Sequence, residues 1–564
     1  MASFPWTSSY PDGLRWDSAL TPASIPALLR HAVERWPACP AIEFMGRTIP
    51  YEELGALVDR AACGLQQLGV KPGVKVGLYL PNTPQFVIAF FAVLKAGGTV
   101  VCYSPLDVEA TLAHKIADSN TTIMITLNLA SLYPKMQGLL QRSGLQTLVV
   151  GALGEFSAGP EAVAARLAQD GTSCAVDDSA QHIPFSRLLD NDGACAPIAE
   201  SELVPALALL QYTGGTTGQP KGAMLSHANL YAAASQAALT ATRGGGATLQ
   251  EGSERVLVVL PLFHIYAIVV DLLLAVKIGA EMLLRARFDP AAVLHDVSTR
   301  RVTCLPGVPT MFTALISHPQ AGELDLRSLK VCISGGAPLP VELQLRFEQM
   351  TGCGLSEGWG MTETTAIGTF TPGHDRRRNG SCGLPSPQVQ IRLADLDDPE
   401  REVAQGERGE IVVRGPAVMQ AYWNAPQANL DSFTADGGFR TGDVGYQDAD
   451  GYIYIVDRCK DMLLCGGYNV YPRIIEEAIH THPSVEETIV IGVADTYRGQ
   501  SPKAYIKLRA GAAPLQLEEL QQHLREHLGK HEMVQAIELR DALPKTAVGK
   551  LSRKMLMDEL AAGA

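Results

Sequence analysis

The sequence predicts an α/β protein: a large N-terminal domain of parallel-sheet α/β subdomains plus a small β subdomain, followed by a small α+β unit. Three observations predict it. Short apolar runs alternate with helix-length segments through the first part of the chain. After about residue 405 the pattern changes to short strands between Gly- and Asp-rich turns. A charged knot, Asp457-Arg458-Cys459-Lys460-Asp461, then precedes roughly 100 residues of mixed helix and strand, enough for a separate domain.

The elements follow in order. Val76–Leu80 is an apolar run closed by the turn Pro81-Asn82, and Thr83 to Lys95 has helical composition that stops at Ala96-Gly97-Gly98. Thr99–Tyr103 is strand-like again, so the three pieces predict a βαβ unit with parallel strands. Buried runs recur at Ala206–Tyr212, Val256–Leu260 and Leu329–Ser334. Residues 153–200 are rich in Gly, Ala, Ser and Asp and have weak periodicity, which predicts a surface excursion. Glu410–Arg414 and Tyr452–Val456 predict an antiparallel β subdomain. Beyond the charged knot the pattern gives a helix near Arg473–His482, strands at Val485–Val493 and Lys503–Leu508, a helix near Leu515–Leu528 and a strand near Ala536–Arg540. A boundary at 457–461 divides the chain into 1–456 and 462–564.

Of 564 residues, 46% are hydrophobic and 19% charged, which excludes a disordered chain. Lys and Arg number 46 against 59 Asp and Glu, a formal charge of −13, so nucleic acid is not an expected partner. The 11 cysteines form no C-x-x-C pair and suit a reducing, cytoplasmic compartment. The opening MASFPWTSSYPDG lacks a basic and an apolar region and is not expected to act as a signal peptide. The most apolar stretch, Val256–Val276, contains Pro261, His264 and Asp271 and is expected as buried strand and helix, not a transmembrane segment. No amphipathic basic helix is evident; peripheral membrane contact stays open, as does the choice between monomer and homodimer.

The sharpest local signal is Tyr212-Thr213-Gly214-Gly215-Thr216-Thr217-Gly218-Gln219-Pro220-Lys221-Gly222, after an apolar strand and before a segment from about Ser226 that opens a helix. Its glycines permit close backbone approach, while its hydroxyls, amides and Lys221 suit phosphate oxygens. It is not a Walker A loop, because Gln219-Pro220 separates Gly218 from Lys221, and it lacks a Rossmann G-x-G-x-x-G. A polyphosphate is the expected ligand. Gly358-Trp359-Gly360-Met361-Thr362-Glu363 offers a plane on which a base can stack and a carboxylate that can hold Mg²⁺. Phe439-Arg440-Thr441-Gly442-Asp443 presents a carboxylate suited to ribose hydroxyls or to an Asx turn. Lys550, in Pro544-Lys545-Thr546-Ala547-Val548-Gly549-Lys550, can offer a point charge to an oxyanion.

Taken in order, YTGGTTGQPKG, GWGMTE, FRTGD, DRCKDMLLCGGYNVYP and PKTAVGK resemble the motifs of the adenylate-forming superfamily of acyl-CoA synthetases, luciferases and peptide-synthetase adenylation domains. The likeness spans about residues 30 to 555 and is greatest to a fatty-acid CoA ligase. Leu260–Ala267 resembles the family's acyl-pocket segment and Ser334–Leu339 its adenine-facing loop.

The resemblance implies an enzyme, an AMP-forming acid–thiol ligase. It would activate a carboxylate with ATP and Mg²⁺, hold an acyl-adenylate, and pass the acyl group to coenzyme A as cosubstrate. It implies that Thr213, Gly214, Gly215, Thr216, Thr217, Gly218 and Lys221 hold the β- and γ-phosphates. Gly335, Gly336, Ala337, Trp359 and Gly360 would face the adenine; where relatives commonly have Tyr, Trp359 keeps the plane and loses the phenol. Thr362 would lie near the α-phosphate, Glu363 would bind Mg²⁺, Asp443 the ribose with Arg458 assisting, and Lys550 would bridge the acid and the α-phosphate. His264, Tyr266 and Ala267 would line the acyl channel. Lys460 would be the hinge about which the C-terminal domain turns, bringing Gly466 and Gly467 to the pantetheine arm. The apolar run Ile268–Ala275 favours a medium- to long-chain fatty acid. The alternatives are an aryl or dicarboxylic acid CoA ligase, or an adenylating enzyme that loads a carrier protein in trans. A non-catalytic nucleotide-binding module is the remote one, disfavoured by the presence of both Lys550 and Glu363.

Overall fold

The computed structural model describes residues 4–213, 220–246, 248–373, 376–465, 468–546 and 549–563. Two seven-stranded sheets, each parallel except for an antiparallel edge strand, carry the N-terminal part. In one, the order is His182–Pro184, Thr147–Gly151, Ile123–Leu127, Lys75–Leu78, Thr99–Cys102, Leu207–Thr213 and Lys221–Ser226. In the other it is Leu355–Glu357, Val331–Ser334, Cys304–Gly307, Arg255–Val258, Glu281–Leu284, Pro40–Phe44 and Arg47–Pro50. Crossover helices cover both sheets. The helix Pro84–Lys95 is apolar nearly all round because it is buried between neighbours, with its last residue, Lys95, paired to Asp59. One continuous apolar core joins the two sheets.

Strand order reverses at Lys75–Leu78 in the first sheet and at Arg255–Val258 in the second, since successive strands flank each on opposite sides. Crevices for ligands open at the carboxyl ends of strands at such reversals. Asn82 ties the two reversals together: its amide nitrogen donates to the carbonyls of Val258 (3.3 Å) and Leu260 (2.9 Å), and its oxygen accepts from the Leu262 amide (2.8 Å).

The structure adds detail to two readings. Residues 153–200 lie at the surface but include the helix Pro160–Gln169 and the edge strand His182–Pro184. Most residues of that helix are exposed, so its sequence lacks a strong apolar stripe. The helix expected from about Ser226 is present, and a strand the sequence did not show precedes it. The strand Lys221–Ser226 intervenes, antiparallel to Leu207–Thr213, and Ser226 then caps the helix His227–Arg243 in a capping box with Asn229.

A four-stranded antiparallel sheet follows, Gln390–Ala394, Gly409–Arg414, Phe439–Gln447 and Ile453–Arg458. The last hundred residues have their own core, from Leu463 and Ile475 to Leu520 and Val534, around the long hairpin Val485–Asp495 and Gly499–Leu508. Among the described residues, no helix is long and apolar enough to cross a membrane.

Candidate active site

The carboxyl ends of the second sheet open into a cavity of about 1920 Å³. The strand Val331–Ser334 delivers Gly335 and Gly336 to its wall, where the Gly335 amide donates to the Gly307 carbonyl at 3.1 Å. A Cβ on Gly335 would lie 2.7 Å from the ring of Tyr266, whose hydroxyl donates to the Ile333 carbonyl at 3.1 Å. Gly336 has φ +77°, a conformation that favours glycine. Ala337 is half-buried beside them.

The 3₁₀ turn Thr362–Thr364 places Thr362 and Glu363 on the same wall. Thr365 and Ala366 follow with φ of 49° and 63°, a tight reversal that two L-residues adopt only under local constraint. Gly360 is required by packing, because a Cβ there would stand 2.1 Å from the Ala366 carbonyl oxygen. The buried Glu363 carboxylate accepts from the Tyr422 hydroxyl at 2.6 Å, and burial raises its pKa above the ordinary value.

Asp443 is buried and committed twice. Its Oδ1 pairs with Arg458 Nε at 2.9 Å and its Oδ2 accepts from Trp359 Nε1 at 2.8 Å. The Trp359 ring is 9% exposed and packs with Cys382, Val389 and Ile411, so only a small part of it borders the cavity. Its indole N–H holds the carboxylate on the strand Phe439–Gln447.

Lys550 reaches the cavity from the C-terminal part of the chain. The Gly549 carbonyl before it accepts from Thr310 Oγ1 at 2.9 Å. Burial, then the charge of Arg458, lowers the Lys550 ammonium to about 8. Arg553, which opens the last helix three residues onward, pairs with Asp457 (3.3 Å), Asp461 (3.3 Å) and Glu476 (2.6 Å), so the lysine segment is tied to both ends of the 457–461 stretch. Arg509 with Glu342, at 3.0 Å, is a further bond between the two parts of the chain. Lys460 also lines the cavity, and burial depresses its ammonium.

On the apolar side, His264, Tyr266 and Ala267 line the cavity. Burial, followed by the charges of Lys550 and Lys115, drives His264 down to about 3, so its imidazole is neutral, and its Nε2 has no hydrogen-bond partner among the described residues. From there the lining runs along one face of the helix His227–Arg243, through Ala237, Thr240 and Ala241, to Gly244 just past its end. Ala267 leads into a π-helical stretch, Ile268–Leu273, that is buried throughout.

Thr213, at the strand end, lines the cavity, and the exposed Lys221 begins the next strand with its ammonium 5.1 Å from the Tyr422 ring centre. Gly214, Gly215, Thr216, Thr217 and Gly218 lie outside the described residues, as do Gly466 and Gly467. Sequence reasoning missed Asn82, Tyr422, Thr310 and Arg553. Their roles depend on partners distant in the chain, although Tyr422, between the turn-forming Gly415-Pro416 and Pro426, carried a weak local signal.

No group of three His, Cys, Asp or Glu side chains that could hold a metal occurs among the described residues. One carboxylate, Glu363, beside a hydroxyl, Thr362, is an all-oxygen set. It suits Mg²⁺ that keeps most of its waters and arrives on substrate phosphates.

Comparison with known proteins bears on the family and the fold. Residues 29–423 match the model of the AMP-binding enzyme family and residues 474–550 that of the AMP-binding enzyme C-terminal domain. The chain is 35% identical over 565 residues to a long-chain-fatty-acid–CoA ligase of Bacillus subtilis (strain 168), covering 98% of each. It is also 35% identical over 520 residues to a feruloyl-CoA synthase of Amycolatopsis sp, covering 91% of this chain and 94% of the relative. The crystal structure of ATP-bound MatB from Rhodopseudomonas palustris superposes with a TM-score of 0.81 at 28% identity, covering 95% of this chain and 98% of that one.

Proposed function

The chain belongs to the AMP-binding enzyme family and is an ATP-dependent acyl-CoA synthetase, and we propose that its acid is a medium- to long-chain fatty acid. ATP and coenzyme A are its other substrates. The observation that carries the fatty-acid reading is the apolar limb of the cavity, lined by Ala267, Val270, Leu274, Ala237 and Ala241 and continuous with the wall that holds Gly336 and Lys550. The fatty-acid relative supports the same reading, and the feruloyl relative favours aromatic acids as the second one.

In the proposed first step the carboxylate attacks the α-phosphorus of ATP and pyrophosphate leaves. Both partners are anionic, so stabilising crowded charge dominates the barrier. Lys550 lies between the two and offsets that charge. Asp443, held by Trp359 and Arg458, takes the ribose hydroxyls, and Gly335, Gly336 and Ala337 give the adenine a wall without side-chain bulk, with Trp359 bordering it. Thr213 and Lys221 flank the polyphosphate. Glu363 and Thr362 would hold Mg²⁺, which when bound supplies charge neutralisation on the phosphates. The acid is already ionised at neutral pH, so the step needs no base. His264, held neutral by burial, closes the acyl limb without adding charge.

In the second step the coenzyme A thiolate displaces AMP from the acyl-adenylate. Lys550 now fills the place where a thiol must enter, so residues 462–564 turn about Lys460 to withdraw it. The turn breaks the pairs of Arg509 with Glu342 and of Arg553 with Asp457. We place the protein in the cytoplasm, where coenzyme A and ATP are at hand. An AMP-release screen of purified protein against saturated acids of rising length, with benzoate and cinnamate alongside, tests the acid. A tenfold preference for the aromatic acids would replace the fatty-acid reading with the aryl one.

A further inference from the structure

Three consecutive residues, Tyr422, Trp423 and Asn424, gather contacts from every part of the phosphate end of the site. The backbone before and through them lies along the strand Lys221–Ser226. The Met224 amide donates to the Ala421 carbonyl (2.9 Å), the Gln420 amide to the Met224 carbonyl (3.0 Å) and the Trp423 amide to the Gly222 carbonyl (2.7 Å). Just upstream, the Met419 amide donates to the Glu363 carbonyl at 2.7 Å. The segment is therefore fixed to the strand that leaves the glycine- and threonine-rich loop and to the turn that carries Glu363.

The side chains repeat the pattern. Tyr422 is 8% exposed; its hydroxyl donates to Glu363 Oε1 at 2.6 Å and its ring faces the Lys221 ammonium at 5.1 Å. Trp423 Nε1 donates to the Asp118 carbonyl at 2.9 Å and Asn424 Nδ2 to Asp118 Oδ1 at 3.3 Å. Asp118 Oδ2 in turn accepts from the hydroxyl of Tyr212, at the strand end that enters the loop, at 2.5 Å. Both stems of the loop, Tyr212 and Lys221, and the carboxylate of Glu363 thus converge on residues 422–424.

We propose that Tyr422 is a positioning residue that sets Glu363 and Lys221 in register across the phosphate end of the site. The hydrogen bond engages one carboxylate oxygen and fixes the side chain, so that the other oxygen is the one offered to a cation. The ring face holds a flexible lysine over a defined spot by cation–π attraction. A carboxylate and an ammonium that must grip one polyphosphate lose most when their spacing is free, so a rigid ring that touches both is well suited to the task. Trp423 and Asn424 anchor that ring through Asp118 to the entering stem. The proposal rests on the reading of Glu363 as the Mg²⁺ ligand.

The test uses Tyr422→Phe, which keeps the ring and removes only the hydroxyl, with Glu363→Gln as reference. Mn²⁺ binding to the full-length protein with a non-hydrolysable ATP analogue is read by electron paramagnetic resonance. Pyrophosphate exchange is followed against Mg²⁺. Tyr422→Phe is expected to weaken metal affinity about tenfold, the effect of losing one hydrogen bond to a charged group, with the KM for the acid changed less than twofold. Tyr422→Leu, which also removes the ring, should in addition raise the KM for ATP at saturating metal. Trp423→Phe, which removes the indole bond to Asp118 and leaves that of Asn424, should show the same metal-specific loss at about threefold, and it stands in for Tyr422→Phe if that variant melts early. Wild-type Mn²⁺ affinity in Tyr422→Phe, or in Trp423→Phe where it stands in, with a clear loss in Glu363→Gln, overturns the role of Tyr422. Wild-type affinity in Glu363→Gln itself overturns the reading beneath it, and the proposal with it.

Discussion

The Nζ of Lys550 lies 2.5 Å from the point where a Cβ on Gly336 would stand, so the lysine occupies space that only a glycine leaves open. A residue just before the last helix is thereby set against the loop that follows the strand Val331–Ser334. This contact places the protein in the arrangement proposed for adenylation, and it separates the two half-reactions into testable parts.

Lys550→Ala should lower acyl-adenylate formation by about 100-fold or more, as for loss of a transition-state electrostatic contact. Thioester formation from supplied acyl-adenylate should stay near normal. Rapid-quench measurement of each half-reaction decides, and equal losses in both contradict the separate roles.

The pH dependence follows from the depressed lysine. Its ammonium titrates at about 8 in the empty site, and it acts in the charged form. The kcat/KM for adenylation should therefore be flat below that pH and fall as pH rises through it, since proton loss removes the needed charge. His264, at about 3, contributes nothing between pH 5 and 9. Lys550→Arg stays charged, so whatever activity it retains should lack the alkaline fall. An unchanged fall in that variant assigns the limb to another group.

Lys460→Pro fixes φ near −65° and removes a backbone donor in the stretch between the two parts of the chain. Coenzyme A-dependent turnover should drop far more than pyrophosphate exchange. Equal turnover to wild type removes the hinge from the mechanism.

Ala241 sits in the helix His227–Arg243, on the face that lines the apolar limb. Each buried CH₂ is worth about 0.8 kcal/mol, roughly fourfold in affinity, so kcat/KM should climb from short to medium acids and then level. Ala241→Phe should move the preferred acid to a shorter chain while leaving the rate with the best short acid within a few-fold. An unaltered length profile shows that the chain does not run along this helix.

Much of the fold was legible because many of its strands are buried on both faces and read as unbroken apolar runs, such as Val100–Cys102 and Val256–Val258. The strand Lys221–Ser226 was not, since it begins with lysine and glycine and sits at the sheet edge. The chemistry-bearing residues Glu363, Asp443 and Lys550 stood out through motif context, and the structure brings them to one cavity. What sequence could not give is what holds them there. Asn82 looked like an ordinary turn residue, yet its amide bonds to residues about 180 positions away. Tyr422 meets Glu363 across 59 positions. Trp359, read as a stacking plane, also donates to Asp443, a role that only the packed structure displays.

The central claim is that one cavity first makes an acyl-adenylate and then passes the acyl group to a thiol. Product analysis with a saturated medium-chain acid tests it most directly, by following ATP, ADP, AMP, pyrophosphate and thioester with and without coenzyme A. The expected result is acid-dependent pyrophosphate exchange without coenzyme A, and AMP with thioester in equal amounts once it is added. Formation of ADP and phosphate, or AMP release that ignores the acid, contradicts the claim.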